Sequence, residues 1–349
     1  MASSARLATP QANVESSPAP LRGAEPGTRI RRLIERREAA IFLVAVGLFA
    51  YFSIASSNFI GYSNFVTLTQ FMAPIAVIGA GEVLLLTAGE VDLSLGTVFV
   101  FFPFVVYFLW ANDGLPLVLA IIIAVIGAAI FGALNGLITT MLDVPSFVTT
   151  LGTLFGLDGI MLLTSGGVQE TMTLNGTGGN ILGNYSWAEI SWAAICVIVV
   201  YLLLHRTRFG LHTIATGGNL LGAAEAGVPV KRVKIWCFMV AAALSALIGI
   251  VDSIRITTLD PGNDGTIEMF YAISAAVIGG TALTGGRGTV IGGAIGAIVL
   301  GVLYDGLNIL GVSAYTFQLI LGIAIVVAMV ANVQLYKAAL SRFGRRLRL

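Results

Sequence analysis

The chain has 349 residues, of which 57% are hydrophobic and 11% charged, with a net charge of +1. A soluble domain carries roughly 25% charged residues, so this composition lacks the polar surface of a protein dissolved in water. The near-zero net charge implies no nucleic acid or other acidic polymer as partner, and a mean hydropathy of +0.92 points to a polytopic, all-α membrane protein.

Residues 1–38 open with a stretch rich in Ala, Ser and Pro, become basic, and carry no apolar period, so they read as a disordered basic tail. The first apolar run starts near Ala39, after seven cations. A cleaved signal peptide would place a short apolar core nearer the start, so this run is read as a retained first helix. A spanning helix needs about 20 mostly apolar residues. On that measure about ten transmembrane helices are expected, at 39–57, 66–88, 94–110, 115–140, 147–165, 190–205, 233–255, 269–284, 289–310 and 314–333. The membrane domain is then 39–333, and 334–349 is a second basic tail. The 42 glycines suit helices that approach closely in lipid.

Threading these spans places eighteen of the nineteen Lys and Arg residues on one side. Short cytoplasmic loops retain cations, so both termini and the loop 206–232 are expected in the cytoplasm. The outer loops 58–65, 111–114, 166–189 and 256–268 contain no Lys or Arg, and only Arg255 departs from the pattern. Trp187 and Trp192 close the longest outer loop, as aromatic side chains do at a lipid–water interface. Cys196 and Cys237 lie in apolar segments and read as small buried thiols rather than a disulfide. His205 and His212 lack partners at metal-ligand spacing, and no metal site is expected.

Three stretches stand out. In Gly89-Glu90-Val91-Asp92-Leu93-Ser94-Leu95-Gly96, two carboxylates interrupt apolar sequence. Asp92 suits a helix N-cap, and the same stretch suits a broken helix lining a solute path. A carboxylate there accepts several hydrogen bonds from sugar hydroxyls. The loop 206–232 contains Leu220–Ala226, a short helix former stopped by Gly227 and Pro229. So short a helix is marginal alone, which makes it a docking element for a partner. The third stretch, Gly279 to Gly288, is a flexible turn or a solute contact, and it leads into Gly288, Gly292 and Gly296, a smooth face for helix packing. No GxxxxGK(S/T) phosphate loop and no GxGxxG fingerprint occur, so no cofactor is assigned to this chain and it does not bind ATP by those means.

Glu82, Asp158, Asp252 and Asp305 fall inside predicted spans. Each costs about 2.5–3.5 kcal/mol at the centre of a bilayer, so each must face the bundle interior, water or a partner. Together they also admit a proton relay. Asp252 sits three residues before Arg255 on one helix face and is expected to pair with it.

The residues now carry a resemblance. Glu90 to Gly96 resembles the signature Gly-(Ile/Val)-Asp-Leu-Ser-(Val/Leu)-Gly of the membrane subunits of bacterial ABC importers in the ribose, xylose, arabinose and galactose permease group. Asn135-Gly136-Leu137 with Val144 to Gly152 is similar to that family's next block. Thr207 to Gly210, Gly217-Gly218-Asn219 and Ala224 to Val228 resemble its coupling loop, and Gly285 to Gly292 and Gly306 to Val312 complete the series. Glu90 stands where many relatives have Gly, and Asp305 where Asn is common.

The resemblance implies a permease subunit, not an enzyme, that passes a monosaccharide or similar small polyol across a bacterial cytoplasmic (inner) membrane, in contact with membrane lipid. It implies a separate ABC ATPase with two nucleotide-binding domains, which uses the ATP. It also implies a periplasmic or extracellular sugar-binding protein, and a homodimer or a heterodimer with a related permease. Gly217, Gly218, Asn219, Ala224, Glu225, Ala226 and Gly227 are the expected ATPase-coupling residues, and Asp92, Ser94, Asn135 and Asn308 the expected translocation path. A branched-chain amino acid permease of the same superfamily and a proton-coupled secondary transporter are the rival readings.

Overall fold

The computed structural model describes residues 37–327 and residue 330, apart from Asn175 and Ala314. Its helices are α1 (Arg37–Ala55), α2 (Tyr62–Ala88), α3 (Leu95–Tyr107, prolonged by a wider-wound turn over Phe108–Asn112), α4 (Leu117–Met141), α5 (Ser146–Ser165) and α6 (Ala188–Arg206). There follow α7 (Arg208–Gly218), α8 (Leu220–Glu225), α9 (Val230–Ile256), α10 (Thr266–Ile278), α11 (Val290–Ile309) and α12 (Tyr315–Val327). The chain is an all-α polytopic membrane protein. The expected tails 1–38 and 334–349 lie outside the described residues, except that Arg37 and Glu38 already belong to α1.

The expected count of ten needs one refinement. Among the described residues, eight helices are long and apolar enough to cross a membrane, whereas α10 and α12 are shorter apolar helices. At about 1.5 Å per residue, the 13 residues of α10 reach roughly 20 Å, short of a hydrocarbon core of about 30 Å. The predicted span 269–284 overran its helix because Gly279-Gly280 ends it. Gly280 takes φ +94°, a conformation that costs glycine little.

The core gathers around α2 and α9, which touch each other and most of the remaining helices. Small residues set how closely the helices approach. A Cβ at Gly249 of α9 would stand 2.0 Å from the Phe99 carbonyl oxygen of α3. On α11, Gly292 and Gly296 face the backbone of α10, as their four-residue spacing predicts. In lipid, packing of this kind replaces the hydrophobic drive of water.

The two faces of the bundle differ in charge. At one end, the exposed cations Arg206, Arg208, Lys231 and Arg232 surround α7 and α8. At the other end, the predicted outer loops meet in a small antiparallel ladder, β1 (Glu170–Thr171) on β2 (Thr258–Leu259). Arg255, the single cation that broke the charge pattern, is neutralised there: it pairs with Asp252 on its own helix, as expected, and with Glu189 of α6 at 2.7 Å. Cys196 and Cys237 are buried free thiols.

Candidate functional site: a broken helix entry and an exposed helix pair

The signature stretch is not helical. Helix α2 closes on Gly89, whose φ of +85° lets its N–H return to the Leu85 and Leu86 carbonyls. The chain then runs without regular structure over 90–92 and turns at 93–94 before α3 begins. Side chains satisfy its backbone. The Val91 N–H donates to Ser146 Oγ (3.3 Å) and the Leu93 N–H to Thr150 Oγ1 (3.0 Å), so the segment ascends beside the first turns of α5. Irregular backbone inside a membrane bundle is tolerated where protein supplies such partners.

This irregular segment carries a buried polar hub. Asp92, Ser94 and Asn135 are all fully buried. Asp92 Oδ1 accepts from the Ser94 N–H (2.9 Å) and from Ser94 Oγ (2.5 Å). Asn135 Nδ2, projecting from α4, donates to Ser94 Oγ (2.9 Å) and more weakly to Asp92 Oδ2 (3.4 Å). Three of the four expected path residues therefore meet across the start of α3, while Asn308 lies exposed near the far end of α11. The N-cap position of α3 belongs to Ser94, so Asp92 does not cap the helix directly; it orders the turn that leads in.

Glu82 of α2 sits beside this hub. It is fully buried and neighbours Asp92, whose backbone makes at most a weak, poorly aligned contact with the carboxylate; no other hydrogen-bond partner occurs among the described residues. Asp305, in contrast, is held by Asn64 Nδ2 at 2.7 Å and serves α2–α11 packing. Sequence reasoning missed the ion pair between Glu90 of this segment and Lys234 of α9. The signal for it was an acid at position 90 together with a lysine in the first turns of an otherwise apolar helix. Among the described residues, no group of three or more His, Cys, Asp or Glu is arranged to hold a metal ion.

The expected coupling residues form a compact helix–turn–helix at the cation-rich end. Thr207 caps α7, its Oγ1 accepting from the Gly210 N–H (3.2 Å). Asn219 caps α8, its Oδ1 accepting from the Gly222 N–H (2.9 Å). Gly217 and Gly218 end α7 between these caps. Ala224, Glu225, Ala226 and Gly227 are exposed, and Gly227 at φ +83° makes the stop that the sequence predicts. Leu221 is 76% exposed and Leu220 and Leu211 are exposed too, an apolar surface rimmed by cations.

The family described as branched-chain amino acid transport system / permease component matches residues 64–329. The chain is 38% identical over 310 residues to the xylose/arabinose import permease protein of Sulfolobus acidocaldarius, covering 87% of this chain and 86% of that one. It is 33% identical over 284 residues to the ribose import permease protein of Bacillus subtilis, covering 80% and 88%. It is 31% identical over 293 residues to the autoinducer 2 import system permease protein of Yersinia pseudotuberculosis, covering 83% and 82%. No solved structure matches the chain significantly. With its broken helix entry, its exposed helix pair and a family match that takes in both, the chain belongs to this family of transport-system permease components, as a multi-pass membrane protein.

Proposed function

We propose that the chain is the membrane-spanning permease subunit of an ATP-driven importer that passes a monosaccharide or similar small polyol across the bacterial cytoplasmic membrane. The observation that carries this reading is the α7–α8 pair: two short helices, each with its own N-terminal side-chain cap, presenting Leu220, Leu221 and Glu225 to solvent at the cation-rich end. A soluble ATPase with two nucleotide-binding domains is the partner for that surface, and ATP is used there. Arg206, Arg208, Lys231 and Arg232 around the pair support placing this end in the cytoplasm.

The substrate class rests on the relatives. The family description mentions branched-chain amino acids, but the xylose/arabinose and ribose permeases match this chain over at least 80% of its length. The hub is compatible with hydroxyl ligands, because the Asp92 carboxylate and Asn135 Oδ1, unpaired among the described residues, are acceptors for hydroxyl protons. A sugar-binding protein on the opposite face and a second permease subunit, identical or related, complete the assembly.

The test has two arms. Uptake in whole cells survives a protonophore while ATP is maintained; collapse under those conditions favours a proton-coupled transporter. Glu225→Arg abolishes co-purification of the ATPase and its stimulation while the permease still reaches the membrane. Unchanged stimulation removes α8 from the docking surface.

A further inference from the structure

The C-terminus of α7 does not end in solvent. A Cβ at Gly217 would stand 1.9 Å from the Thr87 carbonyl oxygen, in the last turn of α2, and 2.7 Å from the Gly286 nitrogen. Gly286 in turn donates its N–H to that same Thr87 carbonyl at 2.9 Å. Three separate parts of the chain therefore touch at one point through backbone atoms: the end of α7, the end of α2, and the connection between α10 and α11. A Cβ at Gly288 would stand 1.9 Å from Thr87 Oγ1, so the third part is held against α2 twice.

We propose that Gly217, Thr87 and Gly286 form a rigid joint that transmits displacement of the α7–α8 pair to both irregular segments of the bundle, 89–94 and 279–289, in a single movement. The proposal rests on the reading that α7–α8 docks an ATPase. Its physical basis is that Gly217 and Gly286 meet the Thr87 carbonyl through backbone atoms alone. A side chain between two elements absorbs a small displacement by changing rotamer, whereas packed backbone does not deform continuously.

The surroundings of the joint fit this role. Just beyond Thr87 lies Gly89, and ahead of Gly286 lie Gly280 and Gly285, with φ values of +85°, +94° and +84°. Each is a point where the chain can bend at little steric cost. Past Gly89 the irregular segment 90–94 carries Asp92 and Ser94, tied to α5 by the Ser146 and Thr150 hydroxyls and to α9 by the Glu90–Lys234 pair. A push at Gly217 thus reaches the polar hub within five residues of Thr87. Gly217, Thr87 and Gly286 are positioning residues on this account; none needs to touch the solute.

The experiment uses the permease co-expressed with the ATPase and binding protein encoded beside it, reconstituted in liposomes. Two quantities are read separately: co-purification of the ATPase, and the stimulation of ATP hydrolysis by the binding protein loaded with D-xylose or D-ribose. Wild type and Gly47→Ala, whose Cβ meets open space, give full values of both. Gly217→Ala keeps co-purification and loses stimulation by about tenfold. Gly288→Ala behaves the same way, and Gly288→Ala with Thr87→Ala recovers, because removing Oγ1 makes room for the new methyl.

Wild-type stimulation in both single variants overturns the joint. So does loss of co-purification in Gly288→Ala, since the defect is then in docking or folding rather than transmission. If Gly217→Ala fails to fold, the Gly288 and Thr87 pair decides alone. Failure of the wild-type permease to retain the ATPase is recognisable before any substitution, and it removes the docking reading and the joint with it.

Discussion

Helices α2 and α4 are both long and apolar, at 27 and 25 residues, and they occupy opposite environments. In their most apolar stretches 89% of α2 is buried and 22% of α4, although α4 is the more hydropathic of the two. In water that order would be reversed. In lipid an apolar side chain gains little by hiding, so small residues and polar groups decide which faces pack. The buried positions of α4 are Ala120, Ala124, Ala128, Gly132, Asn135, Gly136, Thr139 and Thr140, a stripe of small and polar residues. Its large side chains, among them Ile122, Ile126, Ile130 and Leu134, face outward.

The strongest way to break this contrast is to put bulk into the buried stripe of α4. A Cβ at Gly132 would meet the Phe238 carbonyl oxygen at 2.4 Å and the Ala242 methyl at 2.9 Å. Gly132→Val must separate α4 from α9 and is expected to destabilise the protein by about 3 kcal/mol, read as a lowered unfolding midpoint in detergent. An unchanged midpoint means that the seam is not as tight as drawn.

A slightly smaller effect tests the rule that interior charge needs a partner. Arg255→Gln strands Glu189 and Asp252 together, two acids that now share one cation. A cost of about 2 kcal/mol is expected, below that of a fully buried pair because Arg255 is partly exposed. Orientation in the membrane should not change, since the paired arginine presents little net charge to the outer face. Inverted accessibility of a cysteine at Gly218 would show instead that Arg255 helps set topology.

Glu82 is the counter-example on α2, and its substitution has the opposite sign. A fully buried carboxyl without a well-aligned hydrogen-bond partner among the described residues is costly to keep ionised. Glu82→Gln retains shape and an acceptor oxygen, so the variant is expected to be more stable by about 1 kcal/mol. Greater stability with impaired transport would mark Glu82 as retained for function; lower stability would mean that the carboxyl is partnered by something the chain itself does not supply.

Helix positions were legible because length and apolarity suffice to place a span, and the stop at Gly227 because glycine there takes φ +83°. The irregular segment 90–94 was legible only as a break. Its partners Ser146 and Thr150 are more than fifty residues away, and no local pattern pairs them with Val91 and Leu93. The same reason separates the two bonds of Arg255. Asp252 is three residues away on one helix face and could be read from spacing; Glu189 approaches from another helix and could not. Asn308 matched a family block, but that block is helical and its far end faces away from the hub.

The finest test applies one substitution to both helices. Ile78 of α2 is fully buried in the main apolar core, and Ile126 of α4 is 54% exposed on the outer side. Each loses a single methyl on replacement by Val. In α2 the lost volume remains as a void lined by neighbours that cannot relax, so Ile78→Val is expected to cost about 1 kcal/mol. In α4 an acyl chain moves into the space, and Ile126→Val should fall within about 0.5 kcal/mol of wild type. Because the chemistry removed is identical, the difference between the two midpoints isolates packing from apolarity. Equal shifts would mean that a second subunit or another protein, rather than lipid, covers the outer face of α4.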